Sequence, residues 1–285
     1  MNAPLSAADI AQRLGLRKCA RSWRGVCPCC QYAGDVFSVR QRSGAPATPY
    51  CANGCSRDDL EHELARIISG YRAPTVDSRV PLAEKRAAQT AKALALWAGS
   101  EVAGHAPYLA TRSLPSLAAS AALRFRGDCG HPEGGRYPAM VALVQNPAGD
   151  GVAVHRTYLR VDRAGKAAVE PAKASLGPVW GGAIRLHPLA PELVIGEGVE
   201  SSASAGLLLD LPAWAAINAG NLASGLVLPP EVRSVVIAAD PDDPGERAAR
   251  AAALRWQAEG RNVRIARPSR NGHDFNDLLM ERANG

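Results

Sequence analysis

The 285-residue sequence contains no apolar run approaching the ~18 residues of a membrane span, and its first residues, MNAPLSAADIAQRLG, lack the apolar core of a secretion signal. The expectation is a cytoplasmic protein without membrane partners. An even, dispersed set of cysteines is also missing. There are seven, at positions 19, 27, 29, 30, 51, 55 and 129, with five of them inside residues 27–55. An odd and clustered number without a secretion signal argues against a disulfide framework and for reduced thiols. Nor is this the apolar-poor composition of a disordered chain, since 47% of the residues are hydrophobic. Length alone allows about two domains.

Acidic residues are scarce relative to basic ones, and the shortage is uneven. The net charge is +6. Residues 1–80 hold 11 Lys/Arg against 7 Asp/Glu, residues 81–190 hold 13 against 7, and residues 191–285 hold 9 against 13. The first two stretches suit a polyanion and the last suits a cation. Arginine supplies 28 of the 33 basic residues, and its planar fork fits phosphates. By itself, however, that excess reads as GC-rich coding and a solvated surface.

The pattern Cys27-x2-Cys30-x20-Cys51-x3-Cys55 has the two-knuckle form of a zinc ribbon. Each short spacing lets two thiolates from one turn reach a metal at ~2.3 Å, and two turns complete a tetrahedron with no open position, which is structural and not catalytic. Pro28 stiffens the first knuckle, and Asn53-Gly54 tolerates positive φ in the second. Cys29 is an alternative ligand within CPCC, whereas Cys19 and Cys129 read as packed thiols. So small a segment needs the metal to fold.

Ser6 is placed to cap a helix over 7–14, and further helices are expected over 58–68 and 82–98, with a polar linker over 70–80 between them. Strands are expected over 35–39, 48–50, 137–144 and 151–160. Arg156 and Arg160 share one face of the last of these, leaving His155 on the other as a packed or surface histidine rather than a ligand. Residues 171–186, PAKASLGPVWGGAIRL, read as a flexible loop flanked by Lys173 and Arg185, which could hold phosphates. The spacing alone is not diagnostic.

The acidic third alternates strand and helix: strands over 193–195, 213–217, 235–239 and 262–266, and helices over 199–209 and 244–259. Such alternation implies a doubly wound parallel sheet with its ligands at the strands' carboxyl ends. Glu197 follows the first strand, and Asp240 and Asp242 follow the third. Asp-x-Asp leaving a strand points both side chains the same way. Converging carboxylates repel unless a cation intervenes, and oxygen-only ligands suit Mg²⁺ or Mn²⁺ bridging to phosphates. The plainer alternative is that Asp240 and Asp243 merely cap the helix beginning at Pro244.

Glu197-Gly-Val-Glu-Ser201 and Asp240-Pro-Asp-Asp-Pro-Gly245 together resemble the paired signatures of a TOPRIM domain, shared by bacterial-type primases, type IA and type II topoisomerases and some nucleases. With the zinc ribbon upstream, the chain resembles a bacterial-type DNA primase of phages, plasmids and mobile elements, similar to the primase part of primase-helicases. HRTYL at 155–159, the 171–186 stretch and His273-Asp-Phe-Asn-Asp-Leu-Leu279 carry the likeness over nearly the whole length. The resemblance implies an α/β fold, a TOPRIM Rossmann-like parallel sheet preceded by a mixed α+β basic subdomain and a small zinc ribbon. The implied divisions are a template-binding ribbon over 1–70, a linker and helix over 71–103, a basic subdomain over 104–190 and a catalytic domain over 191–285.

It further implies Glu197, Asp240 and Asp242 as the Mg²⁺- or Mn²⁺-binding catalytic acids, with Asp274 and Asp277 as lesser acidic or structural residues. Lys173 would hold a nucleotide or template phosphate, with Arg156 and Arg185 nearby. Structural Zn²⁺ would sit on Cys27, Cys30, Cys51 and Cys55. Two departures stand out: Cys30 lies where the replicative enzyme has a histidine ligand, and Glu200 where many TOPRIM sequences have aspartate. No helical subdomain or helicase follows, so autonomous template opening and processivity are not expected.

The expected activity is synthesis of short RNA primers on single-stranded DNA from nucleoside triphosphates, with a replicative helicase as a candidate partner. The alternatives are a TOPRIM nuclease that uses water as nucleophile and a non-catalytic zinc-ribbon protein that binds single strands. A topoisomerase is disfavoured because it needs a tyrosine nucleophile on a separate cleavage domain, and no tyrosine follows Tyr158.

Overall fold

A computed structural model describes residues 5–29, 36–43, 45–51, 55, 57–71, 82–102, 104–269 and 272–284. The chain separates into two compact units. The first is Met1–Pro81 together with Pro132–Gly135, and the second is Leu82–His131 together with Arg136–Gly285. No helix among the described residues is long and apolar enough to cross a membrane.

In the first unit, helix α1 (Ala7–Leu14) starts on the expected cap. The Ser6 hydroxyl accepts from the Asp9 N–H while the Asp9 carboxylate accepts from the Ser6 N–H, and Gly15 closes the helix with φ +63°. Four short strands, β1 (Arg17–Lys18), β2 (Trp23–Gly25), β3 (Phe37–Arg40) and β4 (Thr48–Cys51), form an antiparallel meander in that order. Helix α2 (Arg57–Ile67) follows and buries Leu60 and Leu64. These two leucines pack with Ile10, Phe37 and Val39 around Cys27 and Cys51. Each such side chain stabilises by only ~1.5–3 kcal/mol. Asp35, the expected start of β3, lies outside the described residues.

Glu133 is the main buried charge of this unit, with its side chain 5% exposed. Its carboxylate accepts from the Arg21 N–H (2.8 Å), the Ser22 hydroxyl (2.9 Å), Arg40 (3.0 Å) and Arg24 (3.4 Å). Burial alone would raise its pKa, but these partners outweigh burial and hold it below the ordinary 4.5. A depressed carboxylate pKa stabilises the fold above its unfolded value, and that stability is lost as pH falls through the folded one. Glu133→Ala leaves Arg24 without this buried partner and should cost the unit ~3 kcal/mol at neutral pH. Hydrogen exchange of the β2 and β3 amides checks the loss, and the gap between variant and wild type should close below pH 4.5.

The second unit opens with α3 (Leu82–Ala98), α4 (Ala106–Ala110) and a 3₁₀ turn, Pro115–Ala119. An antiparallel sheet follows, ordered β5 (Leu123–Gly130), β6 (Arg136–Gln145), β7 (Gly151–Tyr158) and β8 (Lys173–Leu176). The sequence reading omitted β5 and placed a loop over 171–186. In fact that stretch supplies β8 and also β9 (Ile184–Arg185). Both are short and flanked by glycine or proline, so their pairing comes from neighbouring strands and not from alternation of their own.

The remainder alternates as expected: β10 (Glu192–Gly196), α5 (Val199–Leu209), β11 (Ala213–Ala215), a π-turn at Asn221–Gly225, β12 (Ser234–Ala238), α6 (Asp243–Ala258), β13 (Asn262–Ala266) and α7 (Phe275–Asn284). The sheet runs β13-β12-β10-β11-β9, parallel except for antiparallel β9 at its edge. The chain leaves β10 for β11 on one side and then crosses back to β12 on the other. That reversal is a topological switch point, and the crevice between the carboxyl ends of β10 and β12 is where such sheets receive ligands.

Candidate active site

Glu197 leaves β10 and Asp240 follows the end of β12, so the switch point brings two of the expected acids to one cavity of about 210 Å³. Asp274, Glu200, Lys173, Lys166, Arg112 and His155 line it as well. Burial, then Asp240 and Asp242, push the Glu197 carboxyl up to about 8, against the pull of Lys173. Asp240 is pushed up to about 6 by burial, Asp274 and Asp242, with Ser201 and Lys173 opposing. Its Oδ1 is buried without a hydrogen-bond partner among the described residues. Crowded carboxylates and an orphaned oxygen are what a divalent cation would satisfy, so this donor set fits Mg²⁺ or Mn²⁺.

Asp242 stands at the start of the following helix. It is exposed, does not line the cavity, and caps α6 by accepting from the Gly245 N–H at 2.7 Å. The capping carboxylate is thus Asp242, where the plainer reading had Asp240 and Asp243. Asp243 is instead the first residue of the helix. A Cβ at Gly245 would meet the Asp240 carbonyl oxygen at 2.8 Å and Asp242 Oδ1 at 2.9 Å, which explains why the motif ends in glycine. Asp274 and Asp277 exchange hydrogen bonds with each other's N–H groups at the start of α7, and Asp274 alone of the two lines the cavity.

A cationic wall faces these acids. Lys173 Nζ donates to Glu200 Oε2 at 2.9 Å, Lys166 lies 3.5 Å from Glu200 Oε1, and the Tyr108 hydroxyl donates to the same oxygen at 2.5 Å. Burial would raise the Glu200 carboxyl, but the two lysines and the tyrosine hold it well below 4.5. Burial lowers Lys166, whereas for Lys173 the attraction of Glu200, Glu197 and Asp240 overcomes burial and raises it. His155 is driven down to about 3 by burial and by Lys173, so it is neutral. It hydrogen-bonds Ser175 and lines the cavity, a role that the sequence reading as a packed or surface residue did not supply.

Of the three basic residues singled out, Lys173 alone lines the cavity. The Arg156 guanidinium donates to the carbonyls of Gly130, Ala174 and Ser175. Arg185 donates to Asn146 and Pro147 and lies over Trp214. Both therefore brace backbone. Lys166, Arg112 and Tyr108 carried no signal in the sequence, because they sit in different elements and converge only in the fold.

In the first unit, the sulfurs of Cys27, Cys51 and Cys55 all lie within 4.8 Å of one another, with Cys27 and Cys55 3.8 Å apart. Hydrogen bonding to Cys27 and Cys51, followed by burial, pushes the Cys55 thiol up. Three converging thiols form a group able to hold zinc, which takes up to four such ligands. Cys30 lies outside the described residues, and Cys29 is exposed.

Residues 192–285 match the Toprim domain family, and residues 87–186 match a domain of unknown function, DUF7146. No curated protein matches the sequence. Among solved structures the chain is similar to the zinc-binding and RNA polymerase domains of Aquifex aeolicus primase, at 15% identity and TM-score 0.47, covering 96% of this chain and 80% of that one. It is also similar to the primase fragment of the bacteriophage T7 primase-helicase (14% identity, TM-score 0.47, 92% and 95% covered). A DnaG primase catalytic domain bound to single-stranded DNA gives 16% identity and TM-score 0.48, with 70% and 78% covered.

Proposed function

We propose that the protein is a DNA primase that joins nucleotides into short RNA primers on single-stranded DNA, in the replication of a phage, plasmid or other mobile element. The observation that carries this reading is the cavity of the Toprim domain, where Glu197, Asp240 and Asp274 oppose Lys173, Lys166 and Arg112. An acidic wall for a metal facing a basic wall for phosphates suits nucleotidyl transfer from a triphosphate. Glu197 and Asp240 would hold Mg²⁺ or Mn²⁺, with Asp242 reaching it from the helix cap. When bound, the ion lowers the pKa of the attacking 3′-hydroxyl and offsets charge developing on the α-phosphate.

Lys173, Lys166 and Arg112 bind the phosphates, and Glu200 with Tyr108 fixes where the two ammonium groups point. No side-chain nucleophile is needed. The cysteine cluster, completed by Cys30 and loaded with zinc, would engage the template.

Purified protein incubated with single-stranded DNA, labelled nucleoside triphosphates and Mn²⁺ or Mg²⁺ tests the reading. Labelled oligonucleotides support a primase, shortened DNA means a nuclease, and binding without chemistry means an accessory protein. A pH dependence follows from the raised carboxyls. A proton held below about 8 on Glu197 and below about 6 on Asp240 competes with the metal. Mn²⁺ affinity, measured by titration calorimetry, should therefore rise steadily from pH 6 to pH 8 with protons released on binding.

A further inference from the structure

The chain has five tryptophans, and four of them carry a cation over the ring: Lys18 over Trp23, Arg124 over Trp97, Arg185 over Trp214 and Arg255 over Trp256. Among the described residues no ring or cation stacks on Trp180, which is 50% exposed. Its indole lies on Gly225, where a Cβ would come within 2.8 Å of ring carbon Cδ2. A Cβ there would also clash with Asn221 Oδ1, so any other residue at 225 would disturb the ring's seat.

The loop beneath the indole is pinned by hydrogen bonds. Fully buried Asn221 accepts from the Gly181 N–H at 2.9 Å and donates to the carbonyls of Gly182 (2.9 Å) and Ala216 (2.8 Å). A second tie joins the Val227 N–H to the Gly181 carbonyl. Holding a large apolar ring half in water on so rigid a seat is preorganisation for a ligand that stacks.

Its position indicates which ligand. β9 runs antiparallel to β11 with Ile184 opposite Ala215, so the residues before Ile184 continue past the carboxyl end of β11. That is the edge from which Glu197 and Asp240 leave their strands. Ile184 itself lines the cavity, and the four residues from it back to Trp180 span at most ~14 Å. Every nucleobase has a π-face, and aromatic platforms beside a phosphate-binding groove bind unpaired bases regardless of sequence.

We propose that Trp180 is a stacking platform for an unpaired base of the polynucleotide strand beside the Toprim cavity. The proposal rests on the reading of that cavity as one that handles a single strand. Fluorescence anisotropy of a labelled oligothymidylate, and of a strand with the same phosphates but no bases, tests it on wild type, Trp180→Ala and Trp180→Phe. The alanine variant should bind the base-bearing strand about 5- to 100-fold more weakly, and the phenylalanine variant should stay within about threefold of wild type. All three should bind the abasic strand alike.

Equal binding of oligothymidylate by wild type and Trp180→Ala overturns the platform, leaves the primase reading standing and points to a protein partner for the indole. An equal loss on both strands overturns it too, since the defect then lies in the loop and not in stacking. Failure of wild type to bind either strand overturns both readings.

Discussion

Asp240→Asn should cut nucleotide incorporation by about 10³-fold or more while single-strand binding stays within about twofold, because a metal's several kcal/mol at the reacting phosphate are lost. The same change should leave thermal stability unchanged or raise it. In the wild type, burial, Asp274 and Asp242 all act against the ionised Asp240 carboxylate, and Oδ1 has no hydrogen-bond partner among the described residues. A neutral amide removes that repulsion, and a residue kept for function at the expense of stability is expected at such a site. A primer-synthesis assay beside a melting curve reads both effects. Synthesis that survives in Asp240→Asn would place the metal elsewhere.

The second large effect is expected in the first unit. Cys51→Ser, or exhaustive chelation, should unfold it as far as Tyr71. The core of so small a unit, in which Ile10, Leu16, Phe37, Val39, Leu60, Leu64 and Ile68 pack together, supplies only ~3–5 kcal/mol of net stability, whereas structural zinc contributes ~10 kcal/mol or more. Zinc content should fall, and the amides of β3 and β4 should exchange freely, with those of β10 and β12 as an internal reference. Retained protection of β3 and β4 without metal would falsify zinc as the unit's organising element. If the unit unfolds while template engagement is unaffected, zinc keeps that structural role and the ribbon's proposed contact with DNA falls.

Much of this was legible residue by residue. α1, α3, α5 and β13 have the bounds expected from the sequence, α1 because the Ser6 cap fixes its start and the others because their stretches are bounded by turn residues. Glu197 and Asp240 were legible because strand-terminal acids before a Pro/Gly turn form a local pattern. Where the reading stopped short, the cause was non-local. β8 and β9 take their hydrogen bonds from β7 and β11, and nothing in PAKASLGPVWGGAIRL announces those partners. Likewise Arg156 and Arg185 looked free to hold phosphates until the fold set backbone carbonyls against them.

The sequence by itself determined the alternation of strand and helix in the last third, the close spacing of the cysteines and the placing of Glu197 and Asp240 just past strand ends, all of which depend on neighbours a few residues apart. Only the tertiary structure decided which charges face one another. Tyr108, Lys166, Lys173 and Glu200 come from four separate segments, and what joins them is the cost of burying Glu200 without partners. Such a cost arises only once the chain has closed around the carboxylate, so no local pattern of residues records it.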